Sequence, residues 1–427
     1  MKFFKFYSCF LLLLFAFSCK KDKDDNPPII SITSPTENSS YQVLDNVAIR
    51  ASITDDEIIK SVQVSLINDM SSKKVLSSLF FSPNQKNFEL EATYSLDDSL
   101  LATGRYYFRV EALDDENTAA AFQYIQINGI PKRKLGVLAI CSGSNSTTVY
   151  ADNNDFNFQQ LTSFAAPYFK SVLNSYDQQL WFLPKDNSNF LAYQINENTI
   201  KFDQSVNSGF NNAYTDIKLS GRDVLLSTKE GEVFGYSSNY AKNYNYQTLS
   251  HRVVNKLGVN EKYVIVDEAD LNGRNRFANV LFASTGVVQS RISISYACID
   301  IYFLEEEKVI LFQNDENGGR ISELNIEANA RRTVKTFTDS ILRAEQVAAD
   351  EYVISTVSKV LRYNYSTDNL LDYLLIPKAI TRFESLNNQL YVASGNQLER
   401  YNYPFNAVST ITALPKEIVG LKLRYNK

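Results

Sequence analysis

The sequence predicts an all-β protein with two folded units, a β-sandwich followed by a β-propeller. Two observations support this prediction. Residues 28–130 alternate apolar and polar positions with a period of two, which is typical of half-buried antiparallel strands. Residues 134–427 return about every 42 residues to the same pair of short apolar phrases, which indicates an array of small sheets. A chain of 427 residues is long enough for two or three domains with cores of their own.

The N-terminal residues predict an export signal. Lys2 and Lys5 precede an apolar run over residues 6–18, which is too short to span a bilayer comfortably. Cys19 follows directly, and the chain then turns at once into the charged stretch CKKDKDD. This arrangement resembles the lipobox of bacterial lipoproteins, whose cysteine is acylated. A secreted protein with a chance cysteine at its cleavage site is the alternative.

The resemblance implies a signal peptide over residues 1–18, lipid and palmitate on Cys19, and a tether over residues 19–27. The charges after Cys19 resemble the lysine-then-acidic export tag of Bacteroidota lipoproteins. That likeness implies an anchor in the outer membrane, exposed at the cell surface. A periplasm-facing anchor on a plain solvated tether is the alternative. Each methylene that an acyl chain buries contributes ~0.8 kcal/mol, so a multiply acylated cysteine anchors firmly.

The composition argues against several classes of function. The formal charge is −5 and no basic patch stands out, which argues against a nucleic-acid partner. His251 is the sole histidine and has no nucleophile motif around it, so the sequence leans against an enzyme without deciding the matter. Cys141 and Cys298 lie in strand-like runs and are interpreted as buried small hydrophobic residues, with a disulfide left open.

The first unit, residues 28–130, predicts an immunoglobulin-like sandwich of about seven short strands. The alternating runs are IISITSP, VAIRASITDD, IKSVQVSLIND, NFELEATYSL, GRYYFRVEALDD and AAAFQYIQI. The unit resembles the bacterial Ig-like, PKD-like and fibronectin-like modules of surface proteins, and GRYYFRVEALDD resembles their F strand.

Two acidic clusters in this unit predict a calcium site. They fall where the B–C and F–G loops of such a sandwich would share one end. Carboxylate oxygens brought together there could bind Ca²⁺, and simple acidic turns are the alternative. The candidate ligands are Asp55, Asp56, Asp114 and Asp115.

The repeat in residues 134–427 predicts propeller blades of four short strands each. Its first phrase opens with Leu138, Leu180, Val224, Tyr263, Val309, Tyr352 and Leu390. Its second phrase has at its fourth position Ala151, Tyr193, Tyr236, Ala283, Leu324, Tyr363 and Tyr401. A strand near the C-terminus, residues 418–426, would complete the first blade as its innermost strand and so remove an exposed edge. Seven blades are predicted, with six or eight as alternatives.

The loops between the two phrases are acidic and predict an electronegative rim that suits cationic or metal-bridged ligands. They contain Asp186 and Asn187, Glu230, and the stretches DEADLNGRN and NDENGG. Within DEADLNGRN, the spacing of Glu268, Asp270 and Asn272 is typical of the start of a calcium loop. The twelfth position is Asn279 rather than a bidentate glutamate, and a solvated hairpin is the alternative.

The aromatic residues have two interpretations. Trp181 and the recurring tyrosines could stack on sugar rings, or they could form the core between blades. Equivalent positions on successive strands normally face the same way, so the fixed register of the tyrosines favours the core. No propeller-enzyme signature occurs in the sequence.

The order of anchor, Ig-like module and propeller resembles Bacteroidota surface lipoproteins that accompany SusC/SusD-type nutrient importers. That resemblance implies a non-catalytic protein that binds an extracellular peptide, glycan or partner protein. A propeller hydrolase or lyase acting on polysaccharide is one alternative, and a pure adhesin or scaffold is the other.

Overall fold

The computed structural model describes residues 26–427 except 71, 153–155, 187, 206–212 and 250. Cys19 and the export signal lie outside the described residues. All regular elements of the described part are strands, and no apolar helix of membrane-spanning length occurs there. The chain divides into two compact units, Met1–Pro131 and Lys132–Lys427. The predicted all-β fold class is confirmed.

The first unit is a sandwich of a three-stranded and a five-stranded sheet. Its strands are β1 (Ile29–Ser34), β2 (Ser39–Gln42), β3 (Asn46–Ile59), β4 (Ser61–Asn68), β5 (Leu79–Phe81), β6 (Gln85–Ser95), β7 (Gly104–Leu113) and β8 (Thr118–Asn128). One sheet has the order β1-β3-β6 and the other β2-β8-β7-β4-β5. The six runs singled out in the sequence become β1, β3, β4, β6, β7 and β8.

Alternation in these strands builds the core of the sandwich. In β3, the residues Val47, Ile49 and Ile53 are fully buried while their neighbours face outward. The Tyr106 hydroxyl donates to the carbonyl of Ala102 at 2.9 Å, which fixes the entry to β7 in the manner of a tyrosine corner.

The second unit consists of 28 strands, β9 to β36. The first twelve are β9 (Lys134–Ser142), β10 (Thr147–Asp152), β11 (Phe158–Phe164), β12 (Tyr168–Asn174), β13 (Gln179–Pro184), β14 (Phe190–Gln194), β15 (Thr199–Gln204), β16 (Tyr214–Ser220), β17 (Asp223–Thr228), β18 (Glu232–Tyr236), β19 (Lys242–Gln247) and β20 (Arg252–Val259). The next eight are β21 (Tyr263–Asp270), β22 (Arg276–Phe282), β23 (Val288–Ile294), β24 (Cys298–Phe303), β25 (Lys308–Asp315), β26 (Gly318–Asn325), β27 (Ala330–Phe337) and β28 (Ile341–Ala348). The last eight are β29 (Glu351–Thr356), β30 (Val360–Asn364), β31 (Asn369–Leu374), β32 (Ile380–Glu384), β33 (Gln389–Ser394), β34 (Gln397–Asn402), β35 (Val408–Ala413) and β36 (Ile418–Tyr425).

These strands pair into seven four-stranded antiparallel sheets within the described residues. Six sheets consist of four consecutive strands, from β12–β15 through β32–β35. The seventh has the order β11-β10-β9-β36, because the C-terminal strand pairs with β9. The first strand of each sheet contacts that of the next, and β36 contacts both β32 and β12. The strands β12, β16, β20, β24, β28, β32 and β36 therefore form a closed inner ring, and the unit is a β-propeller.

The repeat positions found in the sequence are the core between the sheets. All seven residues that open the first phrase are buried, with at most 1 % of their surface exposed. The fourth position of the second phrase is buried where it is large, at Tyr193, Tyr236, Leu324, Tyr363 and Tyr401. The interpretation of these tyrosines as core rather than as sugar-stacking groups is confirmed.

Two further interpretations are settled by burial. Trp181 is fully buried and stacks on Phe190 and Tyr236 at centroid distances of 5.6 and 6.2 Å, so it is part of a core between two sheets. Cys141 and Cys298 are buried free thiols, as predicted. Burial raises the pKa of the Cys141 thiol to about 11, which leaves it unreactive at neutral pH.

Candidate functional site: the charged channel of the propeller

The inner ring encloses a channel of about 520 Å³. Side chains from all seven ring strands line it, and many are charged. The cationic ones are Lys170, Lys218, Lys256, Arg343, Arg382 and Lys422, and the anionic ones are Asp216, Asp300 and Glu345. The lining thus has an excess of three positive charges within a chain whose formal charge is −5. This volume is typical of small-molecule sites.

A repeated irregularity in the ring strands directs these charges inward. Six ring strands shift register near their start, and a shift of this kind re-aims the side chain that follows it. The residues that follow are Lys170, Asp216, Lys256, Asp300, Arg343 and Gly420. From β12 to β28 the charges therefore alternate in sign around one level of the channel. Two positions further along, Lys218, Tyr302 and Glu345 line a second level, as the period of two requires.

Each channel carboxylate accepts a backbone hydrogen bond from the next ring strand. Asp216 of β16 accepts from the Leu257 amide of β20 at 2.9 Å, and Asp300 of β24 accepts from the Ala344 amide of β28 at 2.9 Å. Glu345 of β28 accepts more weakly from the Phe383 amide of β32 at 3.4 Å. These bonds link neighbouring sheets around the channel.

Asp216 has the most complete set of partners. It is 2 % exposed and also accepts from the Lys170 amine at 2.7 Å and from its neighbour's amide, Ile217, at 3.0 Å. Burial acts to raise the pKa of Asp216, but the positive charges of Lys170, Lys256 and Lys218 outweigh it and hold that pKa well below its usual value. Asp216 is therefore ionised throughout the neutral range and cannot serve as a general acid there.

Among the described residues, three of the six channel cations pair with a carboxylate and three do not. Lys170, Lys218 and Arg382 pair with Asp216, Asp300 and Glu345 at 2.7, 3.9 and 3.1 Å.

The other three, Lys256, Arg343 and Lys422, have no such pair. Arg343 makes only a long hydrogen bond across the channel to the Val419 carbonyl, at 3.4 Å. The Nε–H of Arg382 is buried and has no acceptor in the described part of the chain.

Lys422 is the most unfavourably placed cation. Its side chain is half-buried, and Arg382, Arg343 and Lys218 face it with one carboxylate, Glu345. Burial, together with repulsion from these cations, lowers the pKa of Lys422 to about 7. The channel therefore disfavours a further positive charge and would favour an added negative one.

The structure places the residues of the calcium loop predicted in DEADLNGRN in different surroundings. Glu268 is 1 % exposed inside β21, and its Oε1 accepts from Arg252 and Arg291 at 2.7 Å each. Asp270 ends the strand and accepts from the Arg274 amide at 2.7 Å, while Asn272 is exposed in the turn. Among the described residues, no three acidic, cysteine or histidine side chains converge in the way a metal ion requires.

Arginines neutralise part of the electronegative rim expected from these loops. Asp267 is fully buried and pairs with Arg276 at 2.7 Å, and Asp315 pairs with Arg320 at 2.7 Å. Both carboxylates lie in strands, in β21 and β25, and arginines from the adjacent strands β22 and β26 neutralise them. Asp186 and Glu230 are exposed in turns, and Asn187 lies outside the described residues. His251 is exposed in the turn before β20.

The acidic clusters of the first unit do meet at one end of the sandwich. The first cluster belongs to β3 rather than to a loop, because that strand continues to Ile59. Asp114 is 2 % exposed, and its Oδ1 accepts from the Glu116 and Asn117 amides at 2.6 Å each. Burial and the nearby carboxylates of Asp56 and Asp114 raise the pKa of Asp55, against a hydrogen bond from the Glu57 amide.

Oδ2 of Asp55 and Oδ2 of Asp114 are both buried and have no hydrogen-bond partner among the residues that the structure describes. The outer members of the clusters are engaged elsewhere. Asp56 accepts from Asn26 at 3.1 Å, and Asp115 lies 3.6 Å from the Lys60 amine. Asp55 and Asp114 therefore each leave a buried oxygen available to a proton or a cation.

The first unit also has an aromatic patch that the sequence patterns did not reveal. Tyr107 lies 5.6 Å from Phe122 and 5.4 Å from Tyr124, measured between ring centroids. Phe122 is 54 % exposed, and the Arg105 guanidinium lies 4.1 Å above the Tyr124 ring. These residues occupy adjacent positions on β7 and β8 and form a second candidate binding surface.

Residues 28–110 match the family model described as a bacterial Ig domain. No curated protein matches the chain. Among solved structures, the chain is similar to the computationally designed Ika8 protein, at 12% identity and a TM-score of 0.48, covering 67% of this chain and 90% of that one. It is similar to BamB from Moraxella catarrhalis at 10% identity and a TM-score of 0.41, covering 66% and 92%. It is similar to the β-propeller domain of Swd1 from Myceliophteria thermophila at 8% identity and a TM-score of 0.45, covering 59% and 88%.

Residues 28–110 thus have the predicted Ig-like identity. The propeller assignment rests on the seven sheets and their closed ring, and the distant likenesses add no argument of their own. An Ig-like module joined to a propeller suggests a binding or scaffold role.

Proposed function

We propose that this protein is a non-catalytic cell-surface lipoprotein whose propeller binds an extracellular ligand, as an accessory of an outer-membrane nutrient importer. The ligand is a peptide, a glycan or a partner protein, and the channel is the binding site. The charged channel is the observation that carries this proposal.

The distribution of bonds in the channel favours binding over catalysis. Its carboxylates, Asp216, Asp300 and Glu345, each hold a backbone amide of the neighbouring sheet. Acid–base catalysis needs a carboxyl group free to exchange a proton with substrate, and these groups are committed to the ring. The cations Lys256, Arg343 and Lys422 remain available to a ligand.

The anchor part of the proposal is supported by the N-terminal sequence. Changing Cys19 to Ser should move the protein from the outer-membrane fraction to the soluble fraction, since the thiol that takes the lipid is lost. Protease added to intact cells should degrade the wild-type protein if it is displayed at the surface. A Cys19→Ser protein that stays in the membrane would contradict the lipid anchor.

The binding role is tested with a soluble form that starts at residue 26. It would be applied to arrays of peptides and of neutral and acidic glycans, and tagged full-length protein would be recovered from the membrane to look for an importer. We expect at least one ligand class to bind saturably, with Lys422→Met reducing binding and Phe122→Ala leaving it unchanged. Loss through Phe122→Ala alone would move the site to the first unit.

The hydrolase or lyase alternative is tested in parallel. The same soluble form would be incubated with a panel of polysaccharides, and reducing ends and unsaturated products would be measured. Turnover that survives Lys422→Met but is abolished by Asp300→Asn would contradict the non-catalytic role. We expect no turnover.

A further inference from the structure

We propose that the channel binds a small ligand that carries two or three oxyanion groups, as carboxylate, phosphate or sulfate. This inference rests on the proposed function, since it names the ligand class of the same site. It concerns the channel cations that have no carboxylate at ion-pair distance among the described residues.

The first argument is the charge balance of the lining. The three channel carboxylates are used by Lys170, Lys218 and Arg382, and by backbone amides of the ring. Three cations, Lys256, Arg343 and Lys422, remain without a carboxylate partner in the described part of the chain. Lys256 and Lys422 are half-buried and Arg343 is exposed, so their like charges add in a confined channel, and a ligand with two or three negative charges would offset the excess.

The second argument is the placing of hydrogen-bond donors around Lys422. Arg382 contributes a buried Nε–H that has no acceptor, and Arg343 offers a guanidinium held only by a 3.4 Å bond to a carbonyl. A guanidinium presents parallel N–H groups that match the two oxygens of a carboxylate or phosphate. These donors come from β28, β32 and β36, so the closed ring is needed to assemble them.

The volume of the channel also limits the size of the ligand. A volume of about 520 Å³ exceeds what one inorganic ion fills and suits a compact organic molecule. The fixed carboxylates beside the free cations would repel anionic groups placed elsewhere. The channel would therefore select the spacing of the ligand's charges as well as their number.

The test is isothermal titration of the soluble form with defined probes at constant ionic strength. Citrate and digalacturonate supply carboxylates, pyrophosphate supplies phosphate groups, and sulfate supplies a single small dianion. Triethyl citrate and galactobiose are the matched neutral probes. We expect saturable binding of citrate, digalacturonate or pyrophosphate, weaker binding of sulfate, and none of the neutral probes.

The variants are Lys422→Met and Arg343→Met, which keep side-chain bulk while removing charge. Each should weaken binding about tenfold or more, because one charge-assisted contact is lost. Lys308→Met is the matched control, since that amine pairs with Glu305 at 3.0 Å and does not line the channel. Because the Lys422 amine makes no ion pair among the described residues and repulsion outweighs its attraction to Glu345, Lys422→Met should melt no lower than wild type without ligand.

The outcomes separate this inference from the proposed function. Equal affinity for citrate, digalacturonate or pyrophosphate in wild type and both channel variants would overturn the inference, and so would no binding of any oxyanion probe. An array ligand that binds independently of Lys422 would overturn it while leaving the binding role intact. Oxyanion binding that depends on Lys422, with a blank array and no recovered partner, would uphold it and count against the extracellular role.

Discussion

A chain that ends at residue 417 should lose the whole propeller rather than one blade. The deletion removes β36, which closes the ring by pairing with β9 and contacts the first strands of the sheets on both sides. It also removes three core side chains, Ile418, Leu421 and Leu423, which are 2, 3 and 7 % exposed. Truncating one such side chain typically costs about 2–5 kcal/mol, so losing all three costs about 6–15 kcal/mol. That range equals the whole stability of a typical domain, about 5–15 kcal/mol.

The assay uses the single tryptophan of the chain. Trp181 is fully buried in the propeller, and the first unit has no tryptophan, so its fluorescence follows the propeller alone. We expect the shortened chain to show red-shifted, solvent-exposed emission in the absence of denaturant. A chain that ends at residue 425 keeps β36 and is the matched control. Adding a synthetic peptide of residues 416–427 should restore the blue-shifted emission by re-forming the edge pairing.

A shortened chain with native emission and an unchanged denaturant midpoint would refute the closed ring as the source of stability. A partial result would also be informative. Loss of only the sheet β11-β10-β9-β36 would leave Trp181 buried, because its core lies between the sheets β12–β15 and β16–β19. Cooperative unfolding of the whole propeller would instead expose Trp181 to solvent.

Three further outcomes follow from single groups. Asp216→Asn should destabilise the propeller by about 3–5 kcal/mol in urea unfolding, because it leaves Lys170 uncompensated. The pKa of Asp216 is lowered in the folded state, so the stability that this carboxylate contributes is present above the ordinary aspartate pKa. That stability should be lost as the pH falls through the lowered pKa. Glu268→Gln should cost a similar amount, because two arginines lose their shared partner, and calcium should not change its unfolding midpoint. Millimolar calcium should raise the melting temperature of the first unit, and Asp114→Asn should abolish the rise, because Asp55 and Asp114 each present an unpartnered buried oxygen.

The architecture was predictable because short local sequence patterns specify it and these patterns recur many times along the chain. The period-two alternation of the first unit and the 42-residue phrase of the second both recur, and repetition makes the pattern visible in one sequence. Burial of Tyr193 and Tyr363 follows from the same register. The calcium prediction for DEADLNGRN came from local spacing as well, and local spacing could not show that Arg252 of β20 and Arg291 of β23 both bond to Glu268. Such cross-strand partners are invisible in a linear pattern.

The channel was missed although its signal was present in the sequence. The ring strands include FKSVLNS, YTDIKLS, VVNKLGV, ACIDIYF and LRAEQVA, and each contains a charged residue within an otherwise strand-like run. A central strand normally has an apolar sequence, so these charges indicated that the ring strands line a solvent-accessible channel. The sequence did not reveal which positive and negative side chains face one another, because ring closure brings together residues that lie about 40 positions apart in the chain.

The two kinds of charge in the channel have different structural origins, and this difference makes the surplus of cations informative. Asp216, Asp300 and Glu345 each hold an amide of the next ring strand, so the folded ring itself accounts for every channel carboxylate. The Lys422 side chain has no such role: among the described residues its amine makes no hydrogen bond or ion pair, and its surroundings lower its pKa to about 7. In the unfolded chain a lysine is protonated up to about pH 10.4, so between that pH and 7 folding forces this amine to lose its proton, and below 7 it keeps an unfavourable charge.

Replacing Lys422 with Met should therefore stabilise the unliganded propeller. An anion bound beside Lys422 should likewise stabilise the wild type and should raise the pKa of this lysine. Anion affinity should then increase as the pH falls from 8 to 6, and a pH-independent affinity would show that Lys422 is not in contact with the ligand.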